Sequence, residues 1–394
     1  MIKIKKWAEL VKSGGACGIL LLIRPIINLI FSRQRDLNAY SAIDLSAIVF
    51  IIYSFICFVT AWYSLSKSKT PFGKILMKKT PIVWFIIYTI FGAFSMFWSV
   101  NYALSGYRAF ECMAMILLIV AIMQRFFTTG DTKKIINWTI LFVTIDVIFA
   151  IISTLKWTTS MPALLSCSQM MSTTFFFMAL YHPNKKWFHY LIIFMAIFSG
   201  STVAYIGMFI GTISVLWKRT RYKALIFFTA IILVFSFIAI GPEKILKQTV
   251  FYDKESISLE ETSGRDKMME ASIETIKEYP MGLGFFAGEP YMFYSRGLNC
   301  INAHNSVFSA GIGLGYIGII IMTIFLLKMF STVFSKKIPQ IYRATLIGCF
   351  FVGFLHCMGN PALGSRVYAA WLPVTFLFIL ICSFYVYGKY YTRK

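Results

Sequence analysis

IDLSAIVFIIYSFICFVTAWYSL (residues 43–65), SKSKTPFGKILMKK (66–79) and PIVWFIIYTIFGAFSMFWS (81–99) stand end to end in this chain, and their alternation decides the fold. The first stretch carries a single charge, Asp44, and the third carries none. Each has the length an α-helix needs to cross the hydrocarbon of a bilayer, about 20 residues. The stretch between them holds Lys67, Lys69, Lys74, Lys78 and Lys79 and no acid. A short, basic link between two apolar runs stays on the cytoplasmic side of a membrane. The three stretches together predict two spans joined on the inside.

Working outward, the same alternation predicts an all-α polytopic membrane protein of about 12 transmembrane helices. The spans are 16–32, 43–65, 81–99, 107–127, 135–155, 162–181, 187–200, 201–217, 222–241, 305–327, 342–359 and 369–387. Every second link is basic. With both termini cytoplasmic, the inside segments hold 25 of the 38 Lys and Arg residues, against two acids, Glu9 and Asp131. The first apolar run reads as a retained span, because further spans follow it.

Composition agrees. Of 394 residues 58% are hydrophobic, 39 are Phe and only 14% are charged. Mean hydropathy is +0.72, more apolar surface than a soluble domain can bury. The net charge of +22 sits in the inside links, so it reports topology and does not point to nucleic acid. Of the eight Cys, only Cys300 lies outside the apolar runs or their edges, and no Cys-x-x-Cys occurs. The others read as small buried apolar residues. The whole chain, 1–394, reads as one membrane domain.

Residues 242–304 interrupt the pattern. They are too polar to span, they fall on the outer side between spans 9 and 10, and their seven basic and ten acidic residues differ from the balance elsewhere. A long loop in a compact protein is usually functional. Within it Ser263 can cap a helix that runs from about Arg265 to Tyr279, with Asp266 three residues on. Met269, Ile273 and Ile276 supply an apolar face, and Pro280 stops the helix. Met281-Gly282-Leu283-Gly284 follows as a loop, then an aromatic stretch with Phe285, Phe286, Tyr291, Phe293 and Tyr294.

Several residues can carry chemistry. His304 falls at the outer membrane surface at the start of a span, where a neutral imidazole can accept a proton from a hydroxyl. The alternative is a helix-entry residue with Asn305 as cap. Arg265 falls in the first turn of the loop helix, where a guanidinium and free backbone N–H groups suit a diphosphate. It can equally pair with Glu260, Glu261 or Asp266. Gly311 and Gly315 have the spacing of a close helix–helix contact. Arg24, Asp44, Arg108, Glu111 and Asp146 lie in or near spans and are functional suspects for that reason. Arg108 and Glu111, three apart, can pair. His356 and Arg366 fall near the outer ends of the last two spans. The sequence has no phosphate-binding Gly-Lys-Ser/Thr loop, no Gly-x-Ser-x-Gly and no metal-ligand cluster, so no cofactor or metal is expected.

Together these stretches resemble the bacterial O-antigen ligase and Wzy-type polysaccharide polymerase superfamily. His304, Asn305, Gly315 and Gly318 match its pattern of His-Asn, nine residues, Gly, two residues and Gly. Ser263-Gly264-Arg265 and Pro280-Met281-Gly282-Leu283-Gly284 resemble its loop signature. Ser95-Met96-Phe97-Trp98-Ser99-Val100 with Tyr107-Arg108-Ala109 resembles its third-to-fourth span junction. The likeness runs from about residue 90 to 320. It implies glycosyl transfer at the periplasmic face of the inner membrane, from a glycan on undecaprenyl diphosphate to a growing glycan or to lipid A-core, alone or with a chain-length regulator. It casts His304 as the base and Arg265 as the group that steadies the diphosphate, without a metal. It places Asn305, Gly282 and Gly284 in the substrate site. The family's Ser-Arg at the outer start of span 8 is missing, since Gly200-Ser201-Thr202-Val203-Ala204 has no Arg. Arg296, Arg366 or Arg108 would then take its place. The missing Arg favours a polymerase over a ligase. A transporter of lipid-linked sugar is the reading of another class. It suits twelve spans, but it does not explain a His-bearing outer loop, and no two-fold repeat supports it.

Overall fold

The computed structural model describes residues 14–31, 44–130, 132–157, 209–213, 265–298, 302–359, 362–364 and 371–391. All regular structure among them is helical. In chain order the helices are α1 (Gly15–Phe31), α2 (Leu45–Lys67), α3 (Phe72–Lys79), α4 (Ile82–Phe94), α5 (Tyr102–Thr128), α6 (Thr132–Trp157), α7 (Arg265–Glu278), α8 (Gly288–Ser295), α9 (Ser306–Val333), α10 (Gln340–Gly359) and α11 (Trp371–Tyr390). A 3₁₀ turn, Ser95–Phe97, closes α4. Expected spans six to nine, apart from 209–213, lie outside the described residues, as do Ser263, Gly264 and Arg366.

Among the described residues, α2, α5, α9, α10 and α11 are long and apolar enough to cross a membrane. The pair α3 and α4 with its 3₁₀ turn qualifies as a sixth span, bent by 75° at residues 80–81. The bend separates the lysine-bearing α3 from the uncharged α4, and Pro81, which cannot continue a helix from α3, stands at the break. α1, of 17 residues, is apolar but shorter than the others. The helices coincide with the expected spans to within a few residues.

Caps explain several of the starts. Asp44 Oδ1 accepts the Ala47 N–H at 2.8 Å, and Asn101 Oδ1 accepts the Leu104 N–H at 3.0 Å. Asp44 therefore has a structural use, because an N-cap carboxylate satisfies a helix donor that would otherwise lack a partner. The side chain of Asp146 lies outside the described residues.

The bundle is built around α5, which touches α1, α2, α3, α4, α6 and α11. α11 is 83% buried over its most apolar stretch, whereas α2 is only 28% buried and turns Ile48, Ile52, Phe55 and Trp62 outward. Such a face suits lipid. Phenylalanines fill the centre: Phe85 stacks on Phe325 with ring centroids 5.1 Å apart, and Phe72 on Phe127 at 5.3 Å. Cys17, Cys57, Cys112, Cys349, Cys357 and Cys382 are free and buried, as expected. Cys167 and Cys300 lie outside the described residues.

The described part of residues 242–304 has its own small core. Ala271, Leu283, Met292, Phe293, Ala303 and Ile312 pack together, with Met268, Leu298 and Phe308 around them. Here the expected face of α7 is corrected. Met269 and Ile273 are 46% and 38% exposed, and the buried row is Ala271, Ser272, Thr275 and Ile276. Two of these carry hydroxyls, yet they bury at no loss of hydrogen bonding. Ser272 Oγ donates to the Met268 carbonyl at 2.6 Å and Thr275 Oγ1 to the Ala271 carbonyl at 2.7 Å. Small side chains let α7 approach α9 closely, so that Ile276 reaches Gly311.

Candidate functional site

The site begins with a break in a helix. Within α9, Gly315 has φ 62° and ψ −153° and interrupts the α-helical path. A break leaves backbone groups without their partners in the helix. The loop Pro280–Gly284 supplies replacements. Leu283 N–H donates to the Ile312 carbonyl at 2.8 Å, Gly284 N–H to the Gly313 carbonyl at 2.9 Å, and Tyr316 N–H to the Pro280 carbonyl at 3.1 Å. The loop thus lies along the broken helix as a strand lies along its neighbour. A side chain at 315 has no room, since a methyl there would sit 1.8 Å from the Pro280 carbonyl oxygen. Of the Gly311/Gly315 pair, expected to make a close helix–helix contact, Gly311 makes one, against Ile276 of α7, whereas Gly315 faces Pro280 of the loop.

The other side of the loop is held by the junction between α4 and α5. Val100 N–H donates to the Leu283 carbonyl at 3.0 Å, Trp98 Nε1 to the Met281 carbonyl at 2.9 Å, and Phe285 N–H to Ser95 Oγ at 2.9 Å. Ser105 Oγ donates to the Phe285 carbonyl at 2.9 Å. Gly284 (φ 105°) passes so close that a methyl there would lie 2.0 Å from Ser99 Oγ. Three stretches far apart in sequence, 95–105, 280–285 and 312–316, are therefore one hydrogen-bonded unit. This close packing accounts for Gly282 and Gly284.

His304 stands where this unit meets the start of α9. Its φ is +48°, and with Phe286 (φ +59°) it is one of two non-glycine residues with positive φ among the described residues. Such a conformation costs about 1–3 kcal/mol and persists only where the surroundings enforce it. Neighbours on both sides do so. His304 N–H donates to Asn302 Oδ1 at 3.2 Å. Asn305 caps α9 through Oδ1, which accepts the Val307 and Phe308 N–H groups at 2.8 and 3.2 Å. Its Nδ2 donates to the Met358 carbonyl of α10 at 3.0 Å. Ser306 Oγ accepts the Leu363 N–H at 3.1 Å, and Tyr88 donates to the Gly364 carbonyl. Asn305 is thus a cap and also a tie to α10. The buried His356 lies on the same last turns of α10, close in sequence to Met358.

Glu289 is a residue that reading the sequence did not single out. It is 0% exposed on α8, and its Oε1 accepts the Ala303 N–H at 3.1 Å and the Ser309 hydroxyl. One of ten acids in the loop, it has no sequence mark that separates it from the others, except the apolar residues around it.

The arginines divide. Arg108 pairs with Glu111 as expected, Nη1 to Oε2 at 2.8 Å. Arg24 of α1 joins them, Nη2 to Glu111 Oε1 at 2.7 Å. Arg24 and Glu111 are almost fully buried, and Arg108 keeps 19% of its side chain exposed. Two guanidiniums on one carboxylate leave a net positive charge. Arg108 carries that charge toward the loop, its Cζ 5.2 Å from the Phe286 ring centre and 5.1 Å from that of Tyr107. Arg296 ends α8 and bridges to Glu274 and Glu278 of α7. Arg265 is the first residue of α7, a helix packed on α8 and α9; its side chain lies outside the described residues.

A family model described as O-antigen ligase matches residues 187–323, about a third of the chain. The match takes in the loop, His304 and the broken part of α9. No curated protein matches the chain significantly.

Proposed function

We propose that this chain, whose residues 187–323 match a family model described as O-antigen ligase, joins glycan repeat units as a polysaccharide polymerase at the periplasmic face of the bacterial inner membrane. The donor is a glycan on undecaprenyl diphosphate, and the acceptor is a sugar hydroxyl of a second lipid-linked glycan. Twelve spans with both termini inside would put residues 242–304 on the outer side, and the lysine alternation supports that topology.

In this reading the neutral imidazole of His304 takes the proton of the acceptor hydroxyl as its oxygen bonds to the anomeric carbon. The bond from that carbon to the diphosphate oxygen breaks, and the diphosphate leaves with the electron pair. Arg265 stabilises the charge that develops on it, a contribution largest where water is excluded. Arg108, with its surplus charge beside Phe286, is a second cation for the lipid diphosphate, and Arg366 a third. Arg296 is already engaged by two carboxylates and contributes less. Fixed cations make a metal unnecessary for this step. Asn305, Gly282 and Gly284 shape the floor of the site.

The observation that carries the proposal is the strained backbone of His304, held on one side by Asn302 and on the other by Asn305, the cap of α9. The test is the surface glycan ladder of a deletion strain complemented with wild-type protein or His304→Ala, with membrane levels matched. Loss of the ladder by a normally accumulating His304→Ala protein is expected, for a general base contributes about 10²–10⁴-fold. A normal ladder would remove His304 from the chemistry.

The ligase reading is favoured by the description of the matching family model itself. There the finished glycan passes to lipid A-core. Residual bands separate the two: single-unit lipopolysaccharide marks a lost polymerase, and bare core with accumulated lipid-linked polymer marks a lost ligase.

A further inference from the structure

Among the described acids of the loop Glu289 is the most completely buried, and its surroundings are specific. Its carboxylate receives the N–H of Ala303, the residue before His304, and the hydroxyl of Ser309, one turn into α9. One side chain therefore grips the chain on both sides of His304. Its own N–H donates to the carbonyl of Phe286 at 3.2 Å. The first turn of α8 thus touches both turns that hold a non-glycine residue at positive φ. Burying a carboxylate away from water is costly unless hydrogen bonds compensate. Met292 and Phe293, three and four residues further along α8, belong to the loop core and need no charge beside them to pack there. What the carboxylate does, and an apolar residue in its place would not, is hold the Ala303–His304 turn in a conformation that local energetics disfavour.

We infer that Glu289 is a positioning residue for His304, fixing the backbone turn from which the imidazole reaches the acceptor hydroxyl. This rests on the reading of His304 as base. The effect is geometric. A displacement near 1 Å of a catalytic group costs up to about 10²-fold in rate, while binding of the donor, which depends on other groups, stays unchanged.

The experiment uses full-length protein purified in lipid nanodiscs, with lipid-linked glycan extracted from a strain lacking this protein as donor and acceptor. Initial rate is divided by the number of donor-binding sites, which removes any inactive fraction. Hydrogen exchange is followed over 302–308 and over α7 and α8. Glu289→Ala is expected to lower the rate per site about 10- to 100-fold, with donor affinity within about twofold, and to speed exchange at 302–305 alone. Glu289→Gln keeps an acceptor oxygen and is expected to lose less than Glu289→Ala. The inference is overturned if both variants keep the wild-type rate per site. It is also overturned if the rate falls while exchange at 302–305 does not change, or if faster exchange spreads through α7 and α8. Should Glu289→Ala fail to accumulate, Glu289→Gln decides by the same criteria, and failure of that near-isosteric variant to accumulate would make the carboxylate a requirement of folding and overturn the inference too. The two readings separate cleanly. A fully active His304→Ala sinks the base assignment, whereas an inactive His304→Ala beside active Glu289 variants sinks only the present one.

Discussion

The bundle around α5 and α11 and the junction where the loop meets α9 are both tightly packed, but by different means. In the bundle, side-chain volume does the holding: Phe85, Phe325, Phe350, Phe376 and Phe378 are each nearly or fully buried, and any one ring shares its neighbours with several others. In the junction, backbone groups do it. The Ile312 and Gly313 carbonyls meet the Leu283 and Gly284 N–H groups with no side chain between them. A core of interchangeable apolar residues accepts substitution at modest cost. A backbone contact made through glycine accepts none, since there is nothing smaller to substitute and nowhere for a larger residue to go.

That contrast can be broken by substitution. The largest effect is expected at Gly315. In Gly315→Val a branched side chain would meet the Pro280 carbonyl at a distance no contact permits, and the residue would be forced to a positive φ that β-branched residues avoid. The loop would have to leave α9, exposing three backbone hydrogen bonds, and membrane accumulation by immunoblot should fall to a small fraction of wild type. Normal accumulation with a normal ladder would show that the loop does not need its seat on the broken helix.

Glu111→Ala comes next. It leaves Arg24 and Arg108 together without their carboxylate, and removing one partner of a buried ion pair costs about 3–5 kcal/mol. A markedly lower melting temperature in detergent is expected. An unchanged one would mean that the two guanidiniums find other anions, such as lipid phosphate.

The smallest effect belongs to the bundle. Phe325→Leu, in the stacked core, should cost no more than about 1.5 kcal/mol and leave the glycan ladder unchanged. A larger loss would erase the distinction between the two regions.

Much of this was legible in the chain. Apolar runs of bilayer length, broken by lysines and prolines, can form only helices, because a backbone in lipid must satisfy its own hydrogen bonds. Hence α1, α2, α4, α5, α6, α9, α10 and α11 fall where hydropathy puts them. α7 ends before Pro280, Asn305 caps α9, and Arg108 finds Glu111, each because the cause lies within a few residues. The failures share the opposite property. The buried face of α7 runs through Ser272 and Thr275, which hydropathy counts as polar although their hydroxyls bond within the helix. Arg24 reaches Glu111 across 87 positions of sequence. Gly311 and Gly315 have the spacing of a helix–helix contact, and nothing local says that the loop from Pro280 will take the place facing Gly315.

The sequence alone determined the apolar helices and most of their ends, since these follow from solvent transfer and from contacts along one helix. Tertiary structure decided which of those residues meet. It broke α9 at Gly315 so that its carbonyls bind the loop, placed Glu289 beneath the Ala303–His304 turn and gave Glu111 a second arginine. Such choices depend on which surfaces are brought within hydrogen-bonding distance, and that is a property of the assembled chain and of no segment of it.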